Sequence, residues 1–249
     1  IGVLRWCGGL LLIEGFSFYF LFIKLTKNKG FIIAFLSIFL VLLADQWLKI
    51  YVKLNFHYYE EVRVFGNWFT LLFVENRGMA FGMEIPFLSP VVAKVILSSF
   101  RIVAVFLIGR YLYKLIQRKV ATGLIFSVAM VFSGALGNII DSAVYGLIFT
   151  ESEKFSFVPA QIVPFGEGYA QFLTGNVVDM LKFDIFTIEL PFYGTFNFFA
   201  PIFNIADTAI SFGVFYILLF QRNNFQVEIL GKKNENTEDE INEFKEENK

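Results

Sequence analysis

The chain has 249 residues, of which 56% are hydrophobic and only 17% charged, and its mean hydropathy is +0.62, which argues against a water-soluble enzyme. One histidine, His57, and one cysteine, Cys7, cannot build a two-histidine zinc site, a cysteine cluster or an intramolecular disulfide, so neither a metal nor a cofactor is expected. A formal net charge of -1 without a basic stripe gives no electrostatic footprint for nucleic acid.

Residues 1–30 form an N-terminal extension of open status. Its apolar stretch, 10–23, is short and interrupted by Glu14, so a fifth span, an interfacial helix and a misassigned start all remain possible readings. Four apolar runs then follow, near 31–50, 91–113, 119–141 and 198–220. Each is long enough, or nearly so, to cross about 30 Å of hydrocarbon at about 1.5 Å per residue. The turn between the second and third carries Arg110, Lys114, Arg118 and Lys119, which places it on the cytoplasmic side, with both termini. Lys24, Lys27 and Lys29 agree, and the loops 51–90 and 142–197 then lie on the outer face. In the first of these, Val62 to Phe65 and Trp68 to Val74 read as strands, with Gly66-Asn67 as the hairpin signal between them. Residues 222–249 are rich in acids and poor in apolar groups and read as a disordered cytoplasmic tail. The expected architecture is an all-α membrane protein, a four-span domain over 31–221 with a small outer-face β element.

The chemistry-bearing residues are charges inside apolar surroundings, where an isolated charge costs about 2.5–3.5 kcal/mol on insertion scales. Asp45 and Lys49 stand at i,i+4 near the end of the first span and read as a structural ion pair. Lys94 is near enough to the membrane edge to snorkel, whereas Arg101 near mid-span needs a partner or water; both read as structural. Asp141, Asp179 and Asp207 each have an asparagine three residues upstream. On a helix, Asn138 with Asp141 and Asn204 with Asp207 share a face, so each acid can sit beside an orienting amide. Asn76, ahead of two glycines, either caps a turn or touches a substrate backbone. Asp179 and Asp207 both approach the membrane from its outer side, and Pro201 suits the start of the last helix. Two carboxyls brought together in a poorly solvated place share one proton, which supplies an acid and a base at neutral pH. A catalytic pair, a proton relay in a small proton-coupled carrier, and a structural role all remain open on these grounds.

Five strings resemble the lipoprotein signal peptidase (signal peptidase II) family: Asp45-Gln46-Trp47-Leu48-Lys49, Asn76-Arg77-Gly78-Met79-Ala80-Phe81-Gly82, Ser133 through Asp141, Val177-Val178-Asp179, and Phe203 through Ile210. The resemblance covers about 31–220. It implies an aspartic endopeptidase of the bacterial inner membrane, without cofactor, whose site lies at the periplasmic face. Asp179 and Asp207 match the catalytic residues, Asn76, Asn138 and Asp141 match polar residues lining the site, and Asn204 stands within the last string beside them. Asp45 and Lys49 match a motif near the outer end of the first helix. The implied partners are membrane lipid and prolipoproteins whose lipobox cysteine already carries diacylglycerol, cleaved just before that cysteine, and the implied state is a monomer. Three departures stand out. Ser142 replaces the usual arginine after the Gly-Asn-x-x-Asp string, the loop 143–175 is long in a manner that resembles Bacteroidetes-like variants, and residues 1–30 have no counterpart.

Overall fold

The computed structural model describes residues 28–66, 68–76, 89–154, 156–184, 187–190, 194–197 and 201–230. The expectations for the N-terminal extension up to residue 27, for 77–82 of the Asn-Arg-Gly string and for 231–249 lie outside the described residues.

Helix α1 (Lys29–Asn55) starts at Asn28, whose Oδ1 accepts the Gly30 N–H at 3.0 Å. Helix α2 (Pro90–Gln117) starts at Ser89 with proline in its first turn. Helix α3 (Thr122–Ile140) continues through a five-residue π-helical turn, Asp141–Tyr145, and a last turn, Gly146–Ile148. Among the described residues, three helices are long and apolar enough to cross a membrane, Lys29–Asn55, Val91–Gln117 and Thr122–Ile148. Helix α4 (Ile205–Phe220) and helix α5 (Arg222–Leu230), which meet at a 90° bend, pass the same test taken together. Phe35, Phe39, Leu43, Phe100 and Phe106 are exposed, as side chains facing lipid are.

Three boundaries differ from the sequence expectation. The third helix runs past residue 141 to Ile148, because the π turn absorbs one extra residue without losing the helical backbone pairing. The last helix begins at Ile205 and not at 198 or Pro201, because Asn204 caps it and the segment before it pairs with a strand. The start of the supposed disordered tail is helical: in α5, Phe225 packs against the apolar cluster at the end of the bundle that holds the α2–α3 turn and Glu228 pairs with Arg118.

One sheet has three antiparallel strands, β1 (Glu61–Phe65), β2 (Phe69–Asn76) and β3 (Val177–Phe183), in that order. Gly66 takes φ +52 at the hairpin, a value that glycine adopts without the cost of a Cβ. A separate hairpin joins β4 (Thr187–Leu190) to β5 (Gly194–Asn197). Phe203 then pairs with Leu181 of β3: the Leu181 N–H donates to Phe203 O at 2.7 Å and the Phe203 N–H to Leu181 O at 3.1 Å. That bridge fixes the entry of α4 against the sheet.

Two apolar clusters hold the bundle. One, at the end of the bundle that holds the α2–α3 turn, joins Ala34 of α1 to Leu112 and Leu115 of α2 and Leu124 and Val128 of α3. The other packs the sheet on the C-terminal ends of α1 and α3 through Val52, Phe73, Tyr145, Phe149, Val178 and Met180. Between them α3 and α4 come close enough that a Cβ at Gly134 would lie 2.2 Å from Ala206 O. Small residues permit such backbone approach in membranes, where helix association relies on packing.

Candidate active site

The site sits where β3, the first turn of α4, and α1 and α3 meet. Asp179 follows Val177 and Val178 on β3, opposite Val74 of β2, and is buried. Asn204 Nδ2 donates to Asp179 Oδ1 at 2.7 Å, and Asn76 Nδ2, from the end of β2, donates to Oδ2 at 3.2 Å. Burial pushes the Asp179 carboxyl up to about 7, with the charge of Asp207 adding to the effect and the two amides opposing it.

Asp207 lies in the first turn of α4 in a reciprocal cap: its N–H donates to Asn204 Oδ1 at 2.9 Å, and the Asn204 N–H donates back to its Oδ2 at 3.4 Å. Asn138 Nδ2, from α3, donates to Asp207 Oδ1 at 2.8 Å. Asp207 is half-buried, in the first turn of α4. One residue, Asn204, therefore touches both acids, its Nδ2 on Asp179 and its Oδ1 on the backbone of Asp207.

Beneath this pair is a fully buried ion cluster. Lys49 Nζ lies 2.9 Å from Asp45 Oδ2 and 2.8 Å from Asp141 Oδ2, and donates to Asn138 Oδ1 at 3.0 Å. Gln46 Nε2 bridges Asp45 Oδ2 at 3.1 Å and Asp141 Oδ1 at 2.9 Å, and its Oε1 accepts from the Tyr145 hydroxyl at 3.1 Å. Asp45 Oδ1 accepts the Ala206 N–H at 2.8 Å, and Asp141 Oδ2 accepts the Val178 N–H at 3.3 Å. The cluster thus holds the two backbone segments that carry Asp207 and Asp179. Asp141 belongs to this buried layer and grips the backbone next to Asp179.

The asparagines work across the pairs expected from spacing. Asn138 serves Asp207 and not Asp141, and Asn176 serves neither: its Nδ2 donates to Glu75 Oε2 at 2.8 Å. On a strand, residues three apart point to opposite faces, so Asn176 and Asp179 separate. Lys94 Nζ donates to Asn176 Oδ1 at 2.5 Å. Three residues on from buried Ser98, Arg101 lies within electrostatic reach of Asp207, Asp179 and Asp141.

Sequence reasoning missed a second buried network. Lys53 pairs with Glu75, Ser152 Oγ donates to Glu75 Oε1 at 2.7 Å, and the Lys53 ammonium lies 5.4 Å from the Phe149 ring and 5.1 Å from that of Tyr169. The available signal was the i,i+4 continuation from Asp45 through Lys49 to Lys53 along one face of α1. Ser142, in place of the arginine, is buried and donates to Asn138 O at 3.1 Å. Among the described residues, no group of three or more His, Cys, Asp or Glu side chains is set to hold a metal ion.

Residues 37–222 match the family model described as Signal peptidase (SPase) II. The chain belongs to the signal peptidase II family. Among its relatives is the Lipoprotein signal peptidase of Porphyromonas gingivalis, 38% identical over 212 residues that cover 82% of this chain and 89% of that one. The Lipoprotein signal peptidase of Amoebophilus asiaticus is 33% identical over 195 residues, covering 75% and 76%. A solved bacterial membrane enzyme shares the fold, with a TM-score of 0.50 at 20% identity over 81% of this chain and 92% of the other. As a signal peptidase II, this chain is a multi-pass bacterial membrane peptidase. The motifs Asp45 to Lys49, Asn138 to Asp141, Val177 to Asp179 and Phe203 to Asp207 are the ones that meet at one place in the fold.

Proposed function

We propose that this peptidase removes signal peptides from prolipoproteins by aspartic catalysis, with Asp207 as the general base and Asp179 as the general acid. The observation that carries the reading is the joint hold of Asn204 on both carboxyl-bearing segments, with Asp179 buried and pushed up to about 7 and Asp207 at a helix N-terminus. The carboxylate of Asp207 takes one proton from a water as its oxygen attacks the scissile carbonyl. The neutral carboxyl of Asp179 donates a hydrogen bond to the developing oxyanion, then gives its proton to the leaving amine as the C–N bond breaks. Transfer of the proton held by Asp207 to Asp179 restores the starting state. Asn138 and Asn76 orient the two carboxyls, and Arg101 adds a positive charge within reach of both.

The substrate is a precursor whose lipobox cysteine carries diacylglycerol, with cleavage just before that cysteine. The enzyme is a monomer of the inner membrane with its site at the periplasmic face. The basic turn Arg110 to Lys119, at the opposite end of the bundle from β3, supports that orientation. The experiment is incubation of purified protein with one prolipoprotein in lipidated and unlipidated form. Cleavage of the lipidated form at the bond before the cysteine supports the reading, and equal turnover of both forms removes the lipid requirement.

A further inference from the structure

The loop between Phe149 and Gly175 carries large apolar side chains that the fold leaves uncovered: Phe157 is 84% exposed, Ile162 65%, Phe165 77% and Phe172 61%. These are not the tips of a loop projecting into water, because the backbone beside them is tied to the spans. The Val163 N–H donates to Ile148 O at 2.9 Å and the Gly166 N–H to Leu147 O at 3.0 Å, which holds Ile162 and Phe165 at the end of the third span. The Ser98 hydroxyl donates to Leu173 O at 2.8 Å, and Ser98 lies about 12 Å inside α2 from Pro90 at 1.5 Å per residue. The backbone at Phe172 therefore lies beside the third turn of α2, within the candidate span Val91–Gln117. Phe157 packs edge-on against His57, 5.3 Å between ring centroids, just beyond the end of α1.

The same segment turns several of its polar groups inward. Ser152, Tyr169 and Asn176 turn inward to the Lys53 and Glu75 network: Ser152 bonds both, Asn176 donates to Glu75, and the Tyr169 oxygen accepts the Asn176 N–H at 2.6 Å. Gly175 and Gly168 let the loop lie directly on the π turn and its continuation, since a Cβ at Gly175 would meet Asp141 O at 2.5 Å and one at Gly168 would meet Gly146 O at 2.2 Å. The loop is a docked layer whose inward polar groups bind the protein, while Ile162, Phe165 and Phe172 stand exposed on its far side with Gln161, Glu167 and Gln171 among them.

We propose that this loop is a membrane-seated wedge whose Ile162, Phe165 and Phe172 side chains rest in the lipid of the leaflet that borders the active site. The occupant of these side chains' exposed side is lipid, because the backbone that carries them is bonded to residues of two candidate spans. The wedge fixes the level of β3, and hence of Asp179, at the bilayer surface, through the contact of Gly175 with the π turn.

The test places a nitroxide at 162, 165 or 172 in a Cys7→Ser background (Ile162→Cys, Phe165→Cys, Phe172→Cys), with Glu167→Cys as the water-facing control. The proteins are reconstituted in vesicles of phosphatidylcholine and phosphatidylglycerol. Lipid seating gives an accessibility to oxygen over that to a water-soluble nickel chelate several-fold higher at 162, 165 and 172 than at 167. Ratios at all three equal to that at 167 place the face in water and overturn the proposal. Immobile labels shielded from both reagents show a protein cover, a second copy or another chain, and overturn it equally. Phe165→Trp, in a chain whose own three tryptophans are phenylalanine, gives an independent reading: quenching by dibrominated lipid is expected and its absence contradicts the wedge. Neither measurement needs turnover.

Discussion

Asp179→Asn isolates the effect of burying the pair. The ordinary carboxylate value of 3.8 rises to about 7 at Asp179, chiefly through burial. At about 1.36 kcal/mol for each pH unit of displacement, keeping that group ionised in the folded protein is unfavourable by about 4 kcal/mol. The sign follows from proton counts. Between about pH 4 and pH 7 the folded chain holds a proton on Asp179 that the unfolded chain has released, so stability falls as pH rises across that window and levels off above it. Asparagine carries no such dependence and keeps the contacts. Its oxygen accepts from Asn204, whose orientation is locked by the Asp207 N–H, and its NH2 donates to Asn76 once that amide turns over. Thermal unfolding of both proteins in detergent from pH 4 to pH 9 is the assay. The variant is expected to gain on the wild type steadily up to about pH 7 and to hold a constant advantage beyond it, while showing no cleavage at any pH. A difference independent of pH refutes the argument that Asp179 is the proton-holding member.

In the wild type, kcat/KM for lipidated substrate should fall as pH rises through about 7, because the acid is then lost, with limbs that belong to the pair jointly. Lys49→Met should lower stability by about 3–5 kcal/mol, since it leaves Asp45 and Asp141 buried with no cation between them, and a shift in thermal midpoint reads it. Ser142→Arg should reduce the yield of folded protein several-fold, because Ser142 is buried and its carbonyl accepts the Gly175 N–H at 2.9 Å, so a guanidinium there displaces the docked loop. Full yield and activity in that variant would show that the side chain escapes to solvent.

The bundle was legible because twenty-residue apolar runs leave little choice in a bilayer, and the hairpin because Gly66 and Asn67 punctuate alternating strands. Strand β3 was not read, although Val177-Val178-Asp179-Met180-Leu181 carries a β-rich run, because its partner β2 lies a hundred residues away and pairing at that distance leaves no local mark. Asp179 and Asp207 were identifiable as unusual acids, but the residue that joins them acts through a cap: the Asn204 to Asp207 spacing was read as two side chains on one face, whereas Asn204 stands outside the helix and caps it. Spacing likewise paired Asn138 with Asp141, while the close approach of α3 to α4 at Gly134 and Gly137 hands Asn138 to Asp207. Of the Lys53 and Glu75 network, only the i,i+4 placement of Lys53 on α1 was visible locally, since Glu75 and Ser152 reach it from β2 and the covering loop.

The central claim is that Asp179 and Asp207 act on the peptide bond as one unit, and single-turnover cleavage of a diacylglyceryl-modified prolipoprotein by purified Asp179→Asn, Asp207→Asn and the double variant tests it most directly. The account predicts that each single variant binds the substrate, retains its fold by thermal unfolding and loses nearly all cleavage, and that the double variant is little worse than either, since paired catalytic groups are strongly non-additive. Substantial turnover by a folded single variant, or losses that multiply in the double variant, would contradict it.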